Sequence, residues 1–250
     1  MATENQQSPS SKPSEHPKSP SSTQPQKLDK EWMNGVLQRA VERTEAQDRE
    51  YRRQETAREQ ARQLEARQSR WRRANVPERH DCRKVIPSAA GPWANTLESV
   101  KALLGSGALI GIVGPVGTGK TKMAVEALRY ACFTGDASVA YLKARDFFLA
   151  LRECFRPQGP AERTVVKEYE MPGVLVIDEI GKTGGSAWEG EVLFHLIDKR
   201  YDAMKDTILV SNLVGDAFDD FVGVAIVDRM RECGGMILAD WPSFREKARG

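Results

Sequence analysis

The chain has 250 residues, of which 40% are hydrophobic and 29% are charged, and its formal net charge at pH 7 is +2. This composition supplies enough apolar side chains for one substantial core. No apolar run approaches the ~20 residues that a membrane span needs, and the N-terminus lacks the hydrophobic segment of a secretory signal. We therefore exclude a helical membrane protein and expect a cytoplasmic one.

The four cysteines follow no Cys-x-x-Cys pattern and no Cys/His ligand spacing. They are Cys82, Cys132, Cys154 and Cys233. Neither a zinc site nor a disulfide framework is indicated, and reduced thiols agree with a cytoplasmic protein.

The first 73 residues differ in composition from the rest of the chain. Residues 1–28 are mainly Ser, Pro, Gln and Lys, so we predict a disordered tail. Residues 29–73 carry 12 basic and 9 acidic side chains, which predicts a charged helical arm. Either this arm docks in a groove of another protein, or it packs in a coiled coil or within the chain. Its apolar stripe at helical spacing consists of Trp32, Met33, Val36, Leu37, Ala40 and Val41.

The end of the arm, RQSRWRRANVPER, is rich in arginine. Its guanidinium groups could contact nucleic-acid phosphates, with Trp71 available to stack on a base. The alternative is a solvated helix face, on which opposite charges four residues apart support the helix.

From residue 97 onward, short β-branched runs alternate with helical patterns. This alternation is typical of a parallel sheet with helices on both faces, and it predicts one doubly wound α/β domain. The predicted strands are residues 108–113, 137–142, 174–178, 207–211 and 236–240. The predicted helices are residues 121–133, 144–155, 188–204 and 224–232.

The sequence GPVGTGKT fits the pattern G-x-x-x-x-G-K-[ST] and lies between a predicted strand and a predicted helix. Its glycines let successive backbone N–H groups point inward, and the following helix presents its positive end to the same point, so the loop suits a polyphosphate. We predict that Lys120 contacts the β- and γ-phosphates and that the Thr121 hydroxyl coordinates Mg²⁺. An ordinary glycine-rich turn would not require Lys-Thr at these positions. The predicted nucleotide-binding residues are Gly114, Pro115, Val116, Gly117, Thr118, Gly119, Lys120 and Thr121.

Two acidic residues end the apolar strand GVLVIDEIG. At the carboxyl end of this strand Asp178 is predicted to support hydrated Mg²⁺, and Glu179 to act on the attacking water. Their alternative role is to cap the next helix. Asn212 ends the next strand and could bind the γ-phosphate or the attacking water, or simply form a turn. Arg229 is either a surface ion pair or an arginine finger, and the residues alone leave both open.

Together these segments resemble an AAA+ ATPase, and more narrowly the DnaC-type replicative helicase loaders and their IstB-type relatives. The more specific segments are EGEVLFHLIDKRYDAMKDTILVSNL and VDRMRECGGMILADWPSFR. The resemblance covers residues 74–250 and implies an AAA+ P-loop core with a five-stranded parallel sheet. Because only about ten residues follow the final predicted strand, we expect no C-terminal helical lid. Arg245 would either partly replace the nucleotide-sensing arginine of such a lid or be a surface charge.

The resemblance also implies a function. It implies an ATPase that uses ATP and Mg²⁺, assembles with copies of itself, binds a hexameric replicative DNA helicase and helps to place that ring on single-stranded DNA. In this pattern Asn212 matches sensor 1. Arg229 matches the arginine finger that completes the ATP site of a neighbouring subunit, so hydrolysis would depend on oligomer formation.

The segment between the second and third predicted strands is a candidate DNA surface, because in the initiator and loader branch this segment faces the central channel. Its basic residues are Arg152, Arg156, Arg163 and Lys167, whereas Phe147, Phe148 and Leu151 are predicted to lie in the core. Two further functions remain open. One is an IstB-type regulator of transposition, and the other is an adaptor that binds ATP as an assembly switch with negligible turnover.

Overall fold

A computed structural model describes residues 29–81, 91–182 and 187–244. The strands are β1 (Leu109–Val113), β2 (Val139–Lys143), β3 (Val174–Ile180), β4 (Asp206–Ser211) and β5 (Gly235–Leu238). The helices are α1 (Lys30–Arg73), α2 (Glu78–Asp81), α3 (Pro92–Leu103), α4 (Lys120–Phe133), α5 (Ala144–Glu153), α6 (Glu162–Glu170), α7 (Ala187–Asp202), α8 (Asp216–Val222) and α9 (Val224–Cys233). The predicted disordered tail, Cys82 and Arg245 lie outside the described residues.

The five strands form one parallel sheet in the order β2-β3-β4-β1-β5. The central strands β1 and β4 are rich in aliphatic residues and are buried along their length, as expected for a sheet covered on both faces. Helices α3 and α4 cover one face, and α5, α7, α8 and α9 cover the other. All five predicted strands and all four predicted helices are confirmed, with ends that differ by one or two residues.

Helix α5 shows how the sequence pattern sets the orientation of an element. Phe147, Phe148 and Leu151 share one side of the helix and are almost completely buried against the sheet. The prediction that these three residues belong to the core is therefore confirmed. Of the basic residues in the candidate DNA segment, Arg152 lies on this helix and is exposed, Arg156 follows the helix, and Arg163 and Lys167 lie on α6.

The chain divides into two compact units, Met1–Thr56 and Ala57–Gly250. In the first unit, the large apolar residues of the arm's stripe are exposed on helix α1. No described helix combines the length and the apolar character that a membrane span requires. The predicted absence of a helical lid stays a prediction.

In the second unit, the last turn of helix α1 packs on the sheet domain. The Trp71 indole is buried, donates a hydrogen bond to Asp81 at 3.0 Å and lies under the guanidinium of Arg129 at 4.4 Å. Beside it, the carbonyl of Ala74 accepts a hydrogen bond from the Tyr141 N–H in β2 at 2.7 Å. The suggestion that Trp71 stacks on a nucleic-acid base is therefore wrong, because its ring already packs within the fold.

Strand β3 contains a bulge near its carboxyl end. Ile177 pairs with Leu209, and Ile180 pairs with Ser211, so β3 advances by three residues while β4 advances by two. One extra residue is therefore accommodated at Asp178-Glu179. Glu179 has a positive φ of 61°, a conformation that costs a non-glycine residue about 1–3 kcal/mol.

Candidate functional site

A pocket of about 380 Å³ opens at the carboxyl ends of β1, β3 and β4. This position follows from the strand order, because parallel strands end on the same edge of the sheet and the loops after them meet there. Eight of the predicted site residues line the pocket. They are Val116, Gly117, Gly119, Lys120, Thr121, Asp178, Glu179 and Asn212.

The glycine-rich loop between β1 and α4 wraps around the Lys120 side chain. Its Nζ donates to the carbonyls of Gly114 and Pro115 at 2.7 Å each. The hydroxyl of Thr118 donates to the same Pro115 carbonyl at 3.0 Å. Gly114, Pro115 and Thr118 do not line the pocket, and they contribute to the loop through these hydrogen bonds.

Glycine is required at positions 114 and 119 of the loop, where the backbone has a positive φ. Gly114 has φ of 142°, and a Cβ added there would lie 2.6 Å from the carbonyl oxygen of Ala239. Gly119 has φ of 80° and is the residue before helix α4. Helix α4 therefore begins at the loop and directs its positive end toward the pocket.

Asp178 lies buried at the end of β3 and is held by two donors. The hydroxyl of Tyr141 donates to Oδ2 at 2.5 Å, and the Glu179 N–H donates to Oδ1 at 2.7 Å. Burial raises the pKa of the Tyr141 phenol, and the Asp178 charge raises it further. The phenol therefore stays protonated near neutral pH and acts as a permanent donor to Asp178.

Glu179 is more exposed than Asp178 and faces a cation. Its Oε1 is 2.7 Å from Nζ of Lys182, and both residues line the pocket. Because the bulge gives Glu179 its positive φ, the two adjacent carboxylates differ in surroundings. Asp178 is buried and fixed, and Glu179 is available to water.

Asn212 follows β4 directly, and the chain around it is held by a buried hydroxyl. Ser211 Oγ donates to the carbonyl of Ile180 at 2.8 Å and accepts the Leu213 N–H at 3.0 Å. These bonds tie the end of β4 to the end of β3. Asn212 thereby lines the same pocket as the acidic pair.

Arg229 lies elsewhere in its own chain. It forms an ion pair with Asp198, and its guanidinium lies 5.5 Å from the Phe194 ring and 4.9 Å from the Tyr201 ring. Arg229 is not among the residues that line the pocket. The structure therefore does not bring Arg229 to the nucleotide site of the same subunit.

The sequence reasoning missed several residues around the pocket. The basic ones are Arg79, His80, Lys122, Lys143 and Lys182, and the others are Tyr141, Val210, Ser211 and Phe244. Lys143 pairs in register with Asp178 across β2 and β3, so a closer reading of strand ends could have found it. Burial lowers the pKa of His80, with neighbouring cations adding to the effect and Asp178 opposing it. The cationic lining suits a polyanionic ligand.

The residues present fit a nucleotide with Mg²⁺. The pocket is in the usual size range of small-molecule sites, and Thr121 and Asp178 offer the oxygen ligands that Mg²⁺ prefers. Within the described ranges, no group of three or more His, Cys, Asp or Glu residues could hold a metal ion alone. A divalent ion here would therefore also need phosphate oxygens and water as ligands.

Comparisons with known proteins agree with this geometry. The profile of the family described as IstB-like ATP binding protein matches residues 23–249. The replicative helicase loader DnaC of Escherichia coli (strain K12) is 27% identical over 138 residues, which cover 55% of this chain and 56% of the loader. A Mycobacterium tuberculosis protein, named for ATP binding in an insertion sequence, is 27% identical over 168 residues, or 65% of each chain. This chain thus spans just over half the length of the Escherichia coli DnaC loader.

Solved structures show the same fold. AMPPCP-bound DnaA from Aquifex aeolicus has a TM-score of 0.52 and 27% identity, covering 64% of this chain and 50% of that one. The crystal structure of the DnaC helicase loader has a TM-score of 0.51 and 22% identity, covering 62% of this chain and 94% of that one. The predicted AAA+ P-loop fold and the resemblance to the DnaC/IstB group are confirmed.

Proposed function

This chain belongs to the family of IstB-like ATP-binding proteins, and we propose that it is a Mg²⁺-dependent ATPase that loads a replicative helicase onto single-stranded DNA. One observation carries the ATPase part of the proposal. The phosphate loop, the acidic pair after β3 and the amide after β4 line a single pocket although they come from three separate strand ends. Phosphoryl transfer needs this combination of anion binding, metal support and water positioning.

Each group has a distinct role in this proposal. The Lys120 ammonium would exchange its loop carbonyls for β- and γ-phosphate oxygens, and the Thr121 hydroxyl and the Asp178 carboxylate would hold the metal. When bound, Mg²⁺ supplies charge neutralisation at the phosphate oxygens. Glu179 leaves Lys182 and accepts a hydrogen bond from the attacking water. Asn212 donates its amide hydrogens to the γ-phosphate or orients the same water.

Two variants test the ATPase directly. Lys120→Ala removes the ammonium that bonds the carbonyls of Gly114 and Pro115 and should abolish Mg·ATP binding in a calorimetric titration. Glu179→Gln should bind Mg·ATP and lower turnover by at least about 100-fold. Tight binding by the wild type with negligible turnover would instead identify the ATP-switched adaptor.

We assign Arg229 to the nucleotide site of a neighbouring copy. Arginine is suited to stabilising charge on a transferred phosphoryl group, and Arg229 lies outside the pocket of its own subunit. Its ion pair with Asp198 would have to open when two copies assemble. Hydrolysis would then require self-association through the ATPase domain.

We assign binding of the partner protein to the arm. We divide the chain into a tail (residues 1–28), a helicase-binding arm (29–73) and an AAA+ domain (74–250). We also propose that the protein is cytoplasmic. Trp32, Leu37 and Val41 are more than half exposed, which supports docking of this stripe on a partner groove. Similarity to the DnaC loaders supports a replicative helicase as that partner.

A point variant in the arm tests this assignment without removing the helix. Leu37→Asp places a charge in the stripe, and Gln38→Asp places the same charge one position away as the matched control. With the purified replicative helicase of the same organism, Leu37→Asp should lose co-elution in gel filtration, and Gln38→Asp should retain it. Equal co-elution of both variants would exclude the stripe as the docking surface.

A transposition regulator is the second candidate. The IstB-like family match and the relative in an insertion sequence favour it. The same co-elution experiment decides between the two, because a transposition regulator should retain the transposase of its own insertion sequence and not the helicase.

The DNA surface is placed on the segment after β2. Phe155 is largely exposed beside Trp188, at 6.1 Å between ring centroids, and Arg156 is nearby in sequence and exposed. An exposed aromatic ring next to basic side chains suits single-stranded DNA, since bases stack on the ring and phosphates contact the cations. Both arginines form ion pairs, Arg156 with the exposed Glu153 at 2.7 Å and Arg152 with the buried Glu189 at 2.9 Å. Arg152 is the less suited of the two because its partner is buried.

A further inference from the structure

Three donors outside the phosphate loop bind three consecutive carbonyls of that loop. The donors are Trp93 at the start of α3 and Trp241 and Phe244 in the segment after β5. The pairs are Phe244 N–H to Gly117 O at 3.0 Å, Trp241 Nε1–H to Thr118 O at 2.7 Å, and Trp93 Nε1–H to Gly119 O at 3.2 Å. We call Trp93, Trp241 and Phe244 the aromatic brace.

The brace also packs closely on the loop. A Cβ added at Gly119 would lie 3.0 Å from Nε1 of Trp93 and 3.3 Å from the ring of Phe244. Trp93 is almost completely buried, and the other two rings pack against the same core cluster. The segment after β5 is itself anchored, because the Ala239 N–H donates to Val113 O at 2.7 Å. The brace is therefore fixed to the sheet and not to the loop alone.

Fixing these carbonyls also fixes the amides that follow them. In a planar trans peptide, the C=O of one residue and the N–H of the next point in opposite directions. Because the carbonyls of residues 117–119 accept these hydrogen bonds, the N–H groups of residues 118–120 point away from the donors. The Gly119 carbonyl is also held by helix α4, since it accepts the Met123 N–H at 2.9 Å. These are amides of the loop that a phosphate would contact, since backbone N–H groups of such a loop cradle the α- and β-phosphates.

We propose that Trp93, Trp241 and Phe244 are positioning residues, which orient the phosphate-binding amides of the loop before nucleotide arrives. This inference rests on the proposed function, namely that the loop binds a nucleoside triphosphate. Preorganisation of this kind raises affinity, because the loop loses less conformational freedom on binding. The brace thereby gives the C-terminal segment DWPSF a direct role in the nucleotide site.

Trp241→Phe tests the proposal, since it keeps an aromatic ring and removes the N–H donor to Thr118. We expect Mg·ATP and Mg·ADP to bind about tenfold more weakly, by the same factor, because the braced amides contact phosphates that both nucleotides share. Trp188→Phe is the matched control, because the Trp188 ring contacts Phe148 and Phe155 and is not part of the brace. It should bind both nucleotides as the wild type does.

Lys120→Ala separates failure of the brace from failure of the proposed function. Wild-type affinity in Trp241→Phe, together with lost binding in Lys120→Ala, would overturn the brace alone. Wild-type affinity in Lys120→Ala would overturn the proposed nucleotide site, and the brace with it. If Trp241→Phe fails to fold, hydrogen exchange on the unaltered chain decides. Mg·ADP should slow exchange in residues 239–244 more than in α6, and equal slowing would overturn the brace.

Discussion

Tyr141→Phe is the variant whose effect can be worked out most fully from the structure. Tyr141 and Asp178 are 4% and 3% exposed, and the phenol is one of the two donors that hold the carboxylate. Removing the hydroxyl leaves one oxygen of a buried charge without that donor, and a hydrogen bond to a charged group contributes about 1.5–3 kcal/mol. For a domain of this size, about 2 kcal/mol corresponds to a fall in melting temperature of about 4–8 °C.

The loss should depend on ligand. Under the proposed function, Mg²⁺ would be held at the same carboxylate in saturating Mg·ATP, so the fall should be smaller than in the nucleotide-free protein. Tyr201→Phe is the matched control, because its hydroxyl donates to the exposed Glu232 at 2.6 Å. It should shift the melting temperature by less than about 2 °C. Differential scanning fluorimetry checks both variants. If Tyr141→Phe melts within about 1 °C of the wild type without ligand, the assigned role of the phenol is refuted.

Three further predictions concern assembly, DNA and pH. Arg229→Ala should lower ATP turnover by about 1,000-fold or more without weakening ATP binding. Arg231→Ala, on the same helix, should leave ATP turnover unchanged. Equal turnover rates in the two variants would show that Arg229 takes no part in the reaction. Arg156→Glu should weaken single-stranded DNA binding and reduce its salt dependence in fluorescence anisotropy, and an unchanged slope would exclude this surface. The Arg70 hydrogen bond and charge lower the pKa of Asp136, so this carboxylate stabilises the fold above the ordinary carboxyl pKa. That stabilisation is lost as pH falls below about 4, and Asp136→Asn should show a flatter acid unfolding curve in circular dichroism.

The phosphate loop and the acidic pair could be predicted because their chemistry is local in sequence. GPVGTGKT requires glycines, a lysine and a threonine at fixed spacing, and an apolar strand ending in Asp178-Glu179 is conspicuous among aliphatic neighbours. Parallel strands then bring these loops to one edge of the sheet without further information. The aliphatic strands could be predicted because their pattern is also local in sequence.

The elements that were missed have weaker local signals. Helix α8 (Asp216–Val222) has only seven residues, which is too short for its apolar spacing to show a helical period. Helix α3 begins with proline after Gly91, a start signal that could have been recognised. Short helices are formed by tertiary packing more than by propensity, so their sequences carry little evidence of them.

Long-range contacts could not be predicted from the sequence. Trp241 and Thr118 are 123 residues apart, and nothing local in DWPSF indicates that the indole reaches the phosphate loop. Arg200 is charged and lies on a helix, which suggests a solvated position. It is in fact completely buried, and its guanidinium donates to the carbonyls of Tyr169, Pro172 and Asp206. Burial lowers the pKa of Arg200 to about 10, which still leaves it charged at neutral pH.

The identity of the nucleotide retained by Glu179→Gln shows whether one pocket both binds ATP and hydrolyses it. Wild type and variant would be incubated with Mg·ATP, freed of unbound nucleotide by gel filtration and denatured, and the released nucleotide separated by ion-exchange chromatography. We expect ADP from the wild type and intact ATP from Glu179→Gln. ADP from both proteins would contradict the role of Glu179, and no nucleotide from either would contradict the site itself.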